Sequence, residues 1–156
     1  MGQGAADRAK SPVFCLQIDR CGSAANSTIS FQVARDLTVR LAADRPGELA
    51  GVVQALSRSG VNIEGIAEID GVVHVLARDP SAARASLRAG GYPIEGELEV
   101  LIMPMTDRPG ELAMITRRLA DASVNVRFVY LATDTRVVIG VDDITAARQV
   151  LDSSRN

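Results

Sequence analysis

The heptapeptide Asp-Arg-Pro-Gly-Glu-Leu-Ala stands at residues 44–50 and again at residues 107–113, an offset of 63 residues. A repeat of this length is longer than a solenoid unit and matches a very small domain. The same offset, carried along the chain without a gap, pairs identical residues at five further positions: Leu56 with Leu119, Val61 with Val124, Asn62 with Asn125, Val75 with Val138 and Asp79 with Asp142. The sequence therefore predicts two copies of one fold.

The repeat divides the 156 residues into two minimal domains, which we expect at 33–95 and 96–156. The segment 1–32 has no counterpart in the second copy, is rich in Gly, Ala, Ser and Asp, and is predicted to be a disordered tail. It contains both cysteines, so neither copy depends on a disulfide framework or on a cysteine-ligated zinc site. With 47% hydrophobic but only 3% aromatic residues, the cores must consist of Val, Ile, Leu and Ala.

Charge and hydropathy exclude several classes of function. The net charge of −2, with scattered arginines, argues against a nucleic-acid partner, whose phosphates would require clustered basic residues. No apolar run approaches 18 residues and no signal-peptide pattern is present, so we expect a cytoplasmic protein without a membrane partner. The single histidine, His74, lies in an apolar strand and is interpreted as structural, and we expect no metal or cofactor.

Local patterns give each copy the element order β-α-β-β-α-β. Residues 37–41 alternate as a strand does, and a helix follows in which Pro46 suits the first position. Asp70-Gly71 predicts a hairpin, and Asp79-Pro80 predicts the start of a second helix. This order is the ferredoxin-like unit of an α+β fold, an antiparallel sheet with helices on one face. The second copy ends without an obvious fourth strand, so we expect an edge that stays open or is covered by a partner.

The strand–Asp-Arg-Pro-Gly-Glu-Leu–helix pattern, followed by Val-Asn-Ile at 61–63 or Val-Asn-Val at 124–126, resembles the ACT domain family. The resemblance covers roughly residues 35–151 and implies a small protein of two tandem ACT-type copies. It further implies amino-acid binding at interfaces between ACT units, no catalytic residues, and regulation of a partner enzyme. ACT units generally pair side by side, either as two copies within one chain or between two chains. We expect a homodimer, because edge strands and apolar Val and Ile faces would otherwise stay exposed.

Physical chemistry favours a ligand site at the same turn. The first turn of a helix presents unpaired N–H groups that can bind a carboxylate, glycine permits close approach, and an asparagine amide can bind either end of an amino acid. The predicted ligand contacts are Asp44, Arg45, Gly47, Leu49, Asn62, Asp107, Arg108, Gly110, Leu112, Asn125 and Tyr130. Tyr130 belongs to this set because its counterpart is Ala67, so that one pocket would differ from the other. Glu64 and Glu68 have Arg127 and Leu131 as their counterparts in the second copy, and they should make the first site more acidic.

Each of these residues also has a simpler interpretation. The two aspartates would cap their helices, the arginines would be solvated, and the leucines would belong to the core. The asparagines would close turns, and the glycines would serve tight packing. At the level of the whole protein, three hypotheses stand: an amino-acid-sensing regulator, an interaction module with vestigial sites, and a small ferredoxin-like hydrolase that would use Arg45 and Asn62.

Overall fold

The computed structural model describes residues 30–152, so the predicted tail lies outside the described residues up to residue 29. The chain forms six strands: β1 (Gln32–Arg40), β2 (Ile63–Ile69), β3 (Val72–Ala77), β4 (Ile94–Pro104), β5 (Val126–Ala132) and β6 (Arg136–Val141). It also forms four helices: α1 (Glu48–Arg58), α2 (Pro80–Ala89), α3 (Glu111–Asp121) and α4 (Ile144–Asp152). The β-α-β-β-α-β order predicted for the first copy is present, and its last strand, β4, is also the first strand of the second half. Over residues 30–152, no helix combines the length and the apolar character that a membrane crossing requires.

The six strands form one closed antiparallel barrel in the order β1-β3-β2-β5-β6-β4, in which β4 pairs again with β1. The prediction of open sheets was therefore wrong, although the α+β class is confirmed. The closure between β2 and β5 is short: Gly65 pairs with Ala132, and the Thr133 N–H donates to the Glu64 carbonyl at 2.8 Å. Closure thus rests on this one pair, and the other residues of β2 and β5 show no ladder pairing with each other.

The two long strands β1 and β4 join the halves of the molecule. The second half of β1 pairs with the start of β4, where Val39 lies opposite Ile94. The first half of β1 pairs with the end of β4, where Gln32 lies opposite Ile102. Residues 32–36 thus occupy the place beside β4 where the sequence offered no fourth strand to the second half. The predicted boundary between residues 95 and 96 falls inside β4.

Three apolar clusters fill the molecule. Two lie outside the barrel under the helices: Val52, Leu56, Ala83 and Leu87 cover one half, and Ile115, Leu119, Ala147 and Leu151 cover the other. The third cluster contains strand residues only, among them Leu76, Val100, Ile102, Tyr130 and Val138, and it fills the barrel interior. The strands β3 and β6 therefore bury both faces over most of their length, which explains their nearly continuous apolar runs, whereas β2 and β5 leave one face partly exposed.

The repeat contains a gap, contrary to the expectation of one constant offset of 63 residues. From Asp44 to Asp70 the offset of 63 holds, since the helices and the β2 and β5 strands match. The β2–β3 hairpin has two connecting residues and the β5–β6 hairpin has three, so the offset becomes 64. Val75 then corresponds to Ile139, and Asp79 to Asp143. Both aspartates cap a helix by accepting an N–H three residues later, at 3.0 and 2.9 Å, which confirms the corrected register.

Candidate functional site

The repeated heptapeptide places a glycine at the N-cap of α1 and of α3. Gly47 and Gly110 have φ angles of 101° and 93°, in the left-handed region that glycine adopts without strain. Neither helix start has a side-chain cap, so the alternative interpretation of Asp44 and Asp107 as capping residues was wrong. Pro46 precedes the N-cap and does not occupy the first helical position. The N–H groups of the first turn consequently have no side-chain acceptor.

A cleft of about 370 Å³ opens at the first of these turns. It is lined by Leu41, Asp44, Arg45, Pro46, Gly47, Leu49 and Glu68. The structure thus brings together four of the predicted ligand contacts. The alternative view that Leu49 belongs to the core was wrong, because 38% of this residue is exposed and it forms part of the cleft wall.

The first cleft combines charges of both signs. The carboxylates of Asp44 and Glu68 line it, and the Gly71 N–H donates to Glu68 Oε1 at 2.8 Å, which fixes that side chain. Arg45 lies over the helix start, where its Nε donates to Glu48 Oε1 at 2.6 Å. Uncapped helix N–H groups attract a carboxylate, and the two acidic side chains attract an ammonium. The cleft can therefore bind the two ends of a zwitterion.

The second turn differs in its charges. Glu111 turns back so that its Oε1 accepts the Thr106 N–H at 3.1 Å, and Arg108 Nε lies 3.9 Å from Glu111 Oε2. The counterpart of Glu68 is Leu131, which is 71% exposed. Leu112 is half-buried and packs against the adjacent core cluster. Asp107 and Gly110 hold the same backbone positions as in the first turn, but an acidic partner for an ammonium is replaced by an apolar side chain.

The two asparagines lie away from these turns. Asn62 immediately precedes β2 and accepts the Arg78 N–H through its backbone carbonyl at 3.1 Å, whereas Glu68 lies near the other end of that strand. Six residues of extended chain separate them by about 20 Å. In the corresponding way the Asn125 carbonyl accepts the Asp142 N–H at 3.1 Å, and the Asn125 N–H also donates to Asp142 Oδ1 at 3.0 Å. Within one chain, neither asparagine reaches the turn of its own half.

Tyr130 lies inside the barrel and not at a turn. Its hydroxyl donates to Asp36 Oδ2 at 2.7 Å, and His74 Nδ1 lies 2.8 Å from Asp36 Oδ1. The Phe128 ring packs on His74 with centroids 4.1 Å apart. Asp36 is fully buried and Tyr130 is 9% exposed. These polar side chains connect β1 and β3 of the first half with β5 of the second, which supports the structural interpretation of His74.

Burial controls the ionisation of this cluster. It raises the pKa of Asp36, and the hydrogen bonds from His74 and Tyr130 oppose that rise without cancelling it. Burial and the adjacent Asp36 carboxyl group raise the pKa of Tyr130, so the hydroxyl remains protonated. Asp36 was not predicted as a functional or structural residue. One indication was present in the sequence: Asp36 stands two residues before Thr38, so both lie on one strand face, and Leu37 and Val39 lie on the other.

Of the two glutamates expected to make the first site more acidic, only Glu68 lines the cleft. Glu64 lies at the start of β2, where its side chain accepts Arg78 Nε at 3.2 Å and Arg136 Nη1 at 3.3 Å. It does not line the cleft at the α1 turn. Within residues 30–152, His, Cys, Asp and Glu form no group of three that could hold a metal ion.

Comparisons with known proteins relate the chain to solved structures and to nothing else. No family model matches the sequence, and no curated protein matches it. Protein BT0572 from Bacteroides thetaiotaomicron has 23% identity and a TM-score of 0.68, over 84% of this chain and 92% of that one. The ligand-free regulatory subunit of aspartate kinase from Thermus thermophilus has 14% identity and a TM-score of 0.60, over 83% and 99%.

A third solved structure, a putative C-terminal regulatory domain of aspartate kinase from Porphyromonas gingivalis, has 13% identity and a TM-score of 0.57. The match covers 81% of this chain and 97% of that domain. At these identities the likeness shows the fold alone. The chain has an ACT-like α+β fold, which it shares with these solved structures.

Proposed function

We propose that this protein is a non-enzymatic regulator that consists of two tandem ACT-type domains, at 33–95 and 96–156. It binds an amino acid and modulates a partner enzyme. The observation that carries the proposal is the first cleft. An uncapped helix start lies beside Asp44 and Glu68, so one cavity offers complementary charge to a carboxylate and to an ammonium. The likeness to aspartate kinase regulatory subunits agrees with this role.

The two turns are proposed to be unequal sites. In the first, the ligand carboxylate meets the N–H groups after Gly47, and the ammonium meets Glu68. In the second, Leu131 offers no charge to an ammonium, and Glu111 is already engaged by the Thr106 N–H. The first turn is therefore the stronger amino-acid site, and the second is weaker or takes a ligand with a more apolar end.

A homodimer would explain the positions of the asparagines. Asn62 and Asn125 are too far along their strands to complete the turn of their own half, so the amide of an ACT-type contact would come from the other half or from a second chain. The exposed apolar residues of β2 and β5 offer a surface for such pairing: Ile66, Val129 and Leu131. Light scattering at micromolar concentration should report twice the chain mass, and a monomer would contradict the dimer.

Thermal-shift measurement with each of the twenty amino acids tests the ligand. A binder present at 100 times its dissociation constant stabilises the folded state by about 2.7 kcal/mol. Glu68→Gln keeps the acceptor for the Gly71 N–H but removes the charge, and should weaken binding about tenfold or more. Glu99→Gln, an exposed β4 position away from the cleft, is the matched control and should bind as the parent does. No stabilisation by any amino acid, together with tight capture of one enzyme, would favour the interaction module instead.

A further inference from the structure

A second cavity, of about 500 Å³, lies at the start of α2 and is separate from the cleft at the α1 turn. The β1 and β3 strands, the beginning of β2 and the first residues of α2 form its wall. Its polar lining consists of Gln32, Arg35, Glu64, Arg78, Ser81 and Arg84. Glu64 and Glu68 lie about 13 Å apart along β2, so the two cavities open near different ends of that strand.

The lining of this cavity is basic. Three arginines and one glutamate line it, and Glu97, outside the lining, pairs with two of these arginines. Arg84 is held from the side by a bidentate ion pair with Glu97, which fixes its guanidinium plane. Arg78 donates only its Nε to Glu64 among the contacts within residues 30–152, so its Nη groups remain able to donate. Arg35 lies 3.5 Å from Glu97 and is oriented by the same carboxylate.

The helix start itself does not provide the attraction. Asp79 Oδ1 accepts the N–H groups of Ser81 and Ala82 at 2.9 and 3.0 Å, which occupies the amides that an anion would otherwise meet. Recognition must therefore come from the guanidinium groups, whose planar N–H donors match phosphate and carboxylate oxygens in pairs.

The second half of the molecule shows that the fold does not require this basic lining. The β1 and β4 strands also match at an offset of 64, since Asp36 pairs with Leu76 as Val100 pairs with Gly140. Arg35 therefore corresponds to Glu99, and Arg78 corresponds to Asp142. Arg148 takes the place of Arg84. The equivalent position in the second half thus exchanges two of its three positive charges for negative ones, while the strands and helices that carry them are the same.

We propose that this arginine-lined cavity is a binding site for a small dianion, a phosphoryl group or a dicarboxylate, distinct from the amino-acid cleft. The Nη groups of Arg78, just after β3, and the guanidinium group of Arg35, on the neighbouring β1, bind the ligand oxygens. Arg84, held by Glu97, presents its remaining donors from the helix. A regulator with both sites would respond to two classes of small molecule.

Isothermal titration calorimetry of the full chain with inorganic phosphate and with succinate, at constant ionic strength, tests the site. Saturable binding of either probe supports it, and the preferred probe identifies the phosphoryl or the dicarboxylate class. The Arg35→Gln/Arg78→Gln variant should lose about tenfold or more in affinity per arginine. Absence of saturable binding of both probes, or unchanged affinity in this variant, would overturn the proposal.

The matched control is Arg127→Gln/Arg148→Gln, which removes the same charge from exposed positions in the second half. It should bind the preferred probe like the parent, whereas an equal loss would indicate non-specific attraction and overturn the site. Circular dichroism verifies that each variant is folded. The Glu68→Gln variant should retain phosphate or succinate binding, so failure of the amino-acid cleft and failure of this site are distinguished.

Discussion

Asp36 is the charged side chain that the fold buries completely within residues 30–152. It accepts the Tyr130 hydroxyl from β5 and lies against His74 of β3, so one carboxyl group joins strands from both halves of the barrel. Buried polar groups are costly when unpaired and specify one arrangement when all are paired. We infer that this cluster fixes how the two halves register inside the barrel, and that its burial carries an energetic cost when Asp36 is ionised.

The sign of that cost gives a pH prediction. Burial raises the pKa of Asp36 above its usual 3.8, so the folded state retains the proton to higher pH than the unfolded chain. The contribution of Asp36 to stability is therefore fully present below pH 3.8 and is lost as pH rises through the folded pKa. Asp36→Asn keeps a hydrogen-bonding amide without the charge. Urea denaturation should show that its stability relative to the parent increases as pH rises through this window.

Asp36→Leu separates the hydrogen bonds from the charge. Like the asparagine variant it has no charge, but it leaves the Tyr130 hydroxyl and the His74 ring without their partner. We expect it to be less stable than Asp36→Asn by about 1–3 kcal/mol, because buried donors without acceptors retain their desolvation cost. Equal stability of the two variants in urea would show that the hydrogen bonds do not hold the cluster together.

At the scale of elements, local signals in the sequence predicted every helix and both hairpins, but they missed the first half of β1 and suggested two short strands where β4 is one. The Asp70-Gly71 hairpin and the apolar stripe that includes Val52 and Leu56 depend on neighbouring residues alone. The hairpin after β5 was harder, because its extra residue shifts every later side chain to the opposite face. The offset of 63 therefore predicted the type of each element in the second half correctly, but it assigned the side chains of β6 to the wrong faces of the strand.

Packing between β5 and β6 depends on a glycine. A Cβ added at Gly140 would stand 2.6 Å from Cε1 of Phe128, and the Phe128 ring cannot retreat freely because His74 packs on it at 4.1 Å. Gly140→Ala should therefore destabilise the protein by about 1–3 kcal/mol in urea denaturation, the usual cost of overpacking.

Two further variants test that explanation. Gly96→Ala is the matched control, since its Cβ would lie at an ordinary 3.8 Å from Thr38, and the change should be within about 0.5 kcal/mol. Phe128→Leu should recover part of the loss when it is combined with Gly140→Ala, which a double-mutant cycle measures as a coupling energy. Independent, additive effects would contradict a clash between the two residues.

At the scale of the whole molecule, barrel closure lay beyond the sequence because it depends on non-local pairs. Nothing near Gln32 indicates that it will lie opposite Ile102, and nothing near Gly65 indicates that it will pair with Ala132. For the same reason Asn62 and Tyr130 were expected among the ligand contacts, although Asn62 lies far along β2 from the turn and Tyr130 lies inside the barrel. The turn itself was predictable because Asp44 to Leu49 are contiguous.

The first half of β1 pairs with the end of β4, so removal of this half should weaken the barrel. A chain that begins at Leu37 lacks residues 32–36, so the end of β4 loses the backbone partners that Gln32 and Val33 provide opposite Ile102 and Leu101. The exposed edge should lower the free energy of unfolding and promote association through β4, because unpaired strand edges pair with other chains. A chain that begins at Ser30 keeps every described strand and serves as the control.

Urea denaturation and light scattering distinguish the two shortened chains. We expect the Ser30 chain to unfold in one cooperative transition at the midpoint of the parent, and the Leu37 chain to unfold earlier and to form larger species. Hydrogen exchange should locate the loss at the amides of β4 and β6, while the α1–α2 side keeps its protection, because the helices there pack on the half of β1 that remains. If the Leu37 chain matched the Ser30 chain in all three measurements, the first half of β1 would not be required to close the barrel.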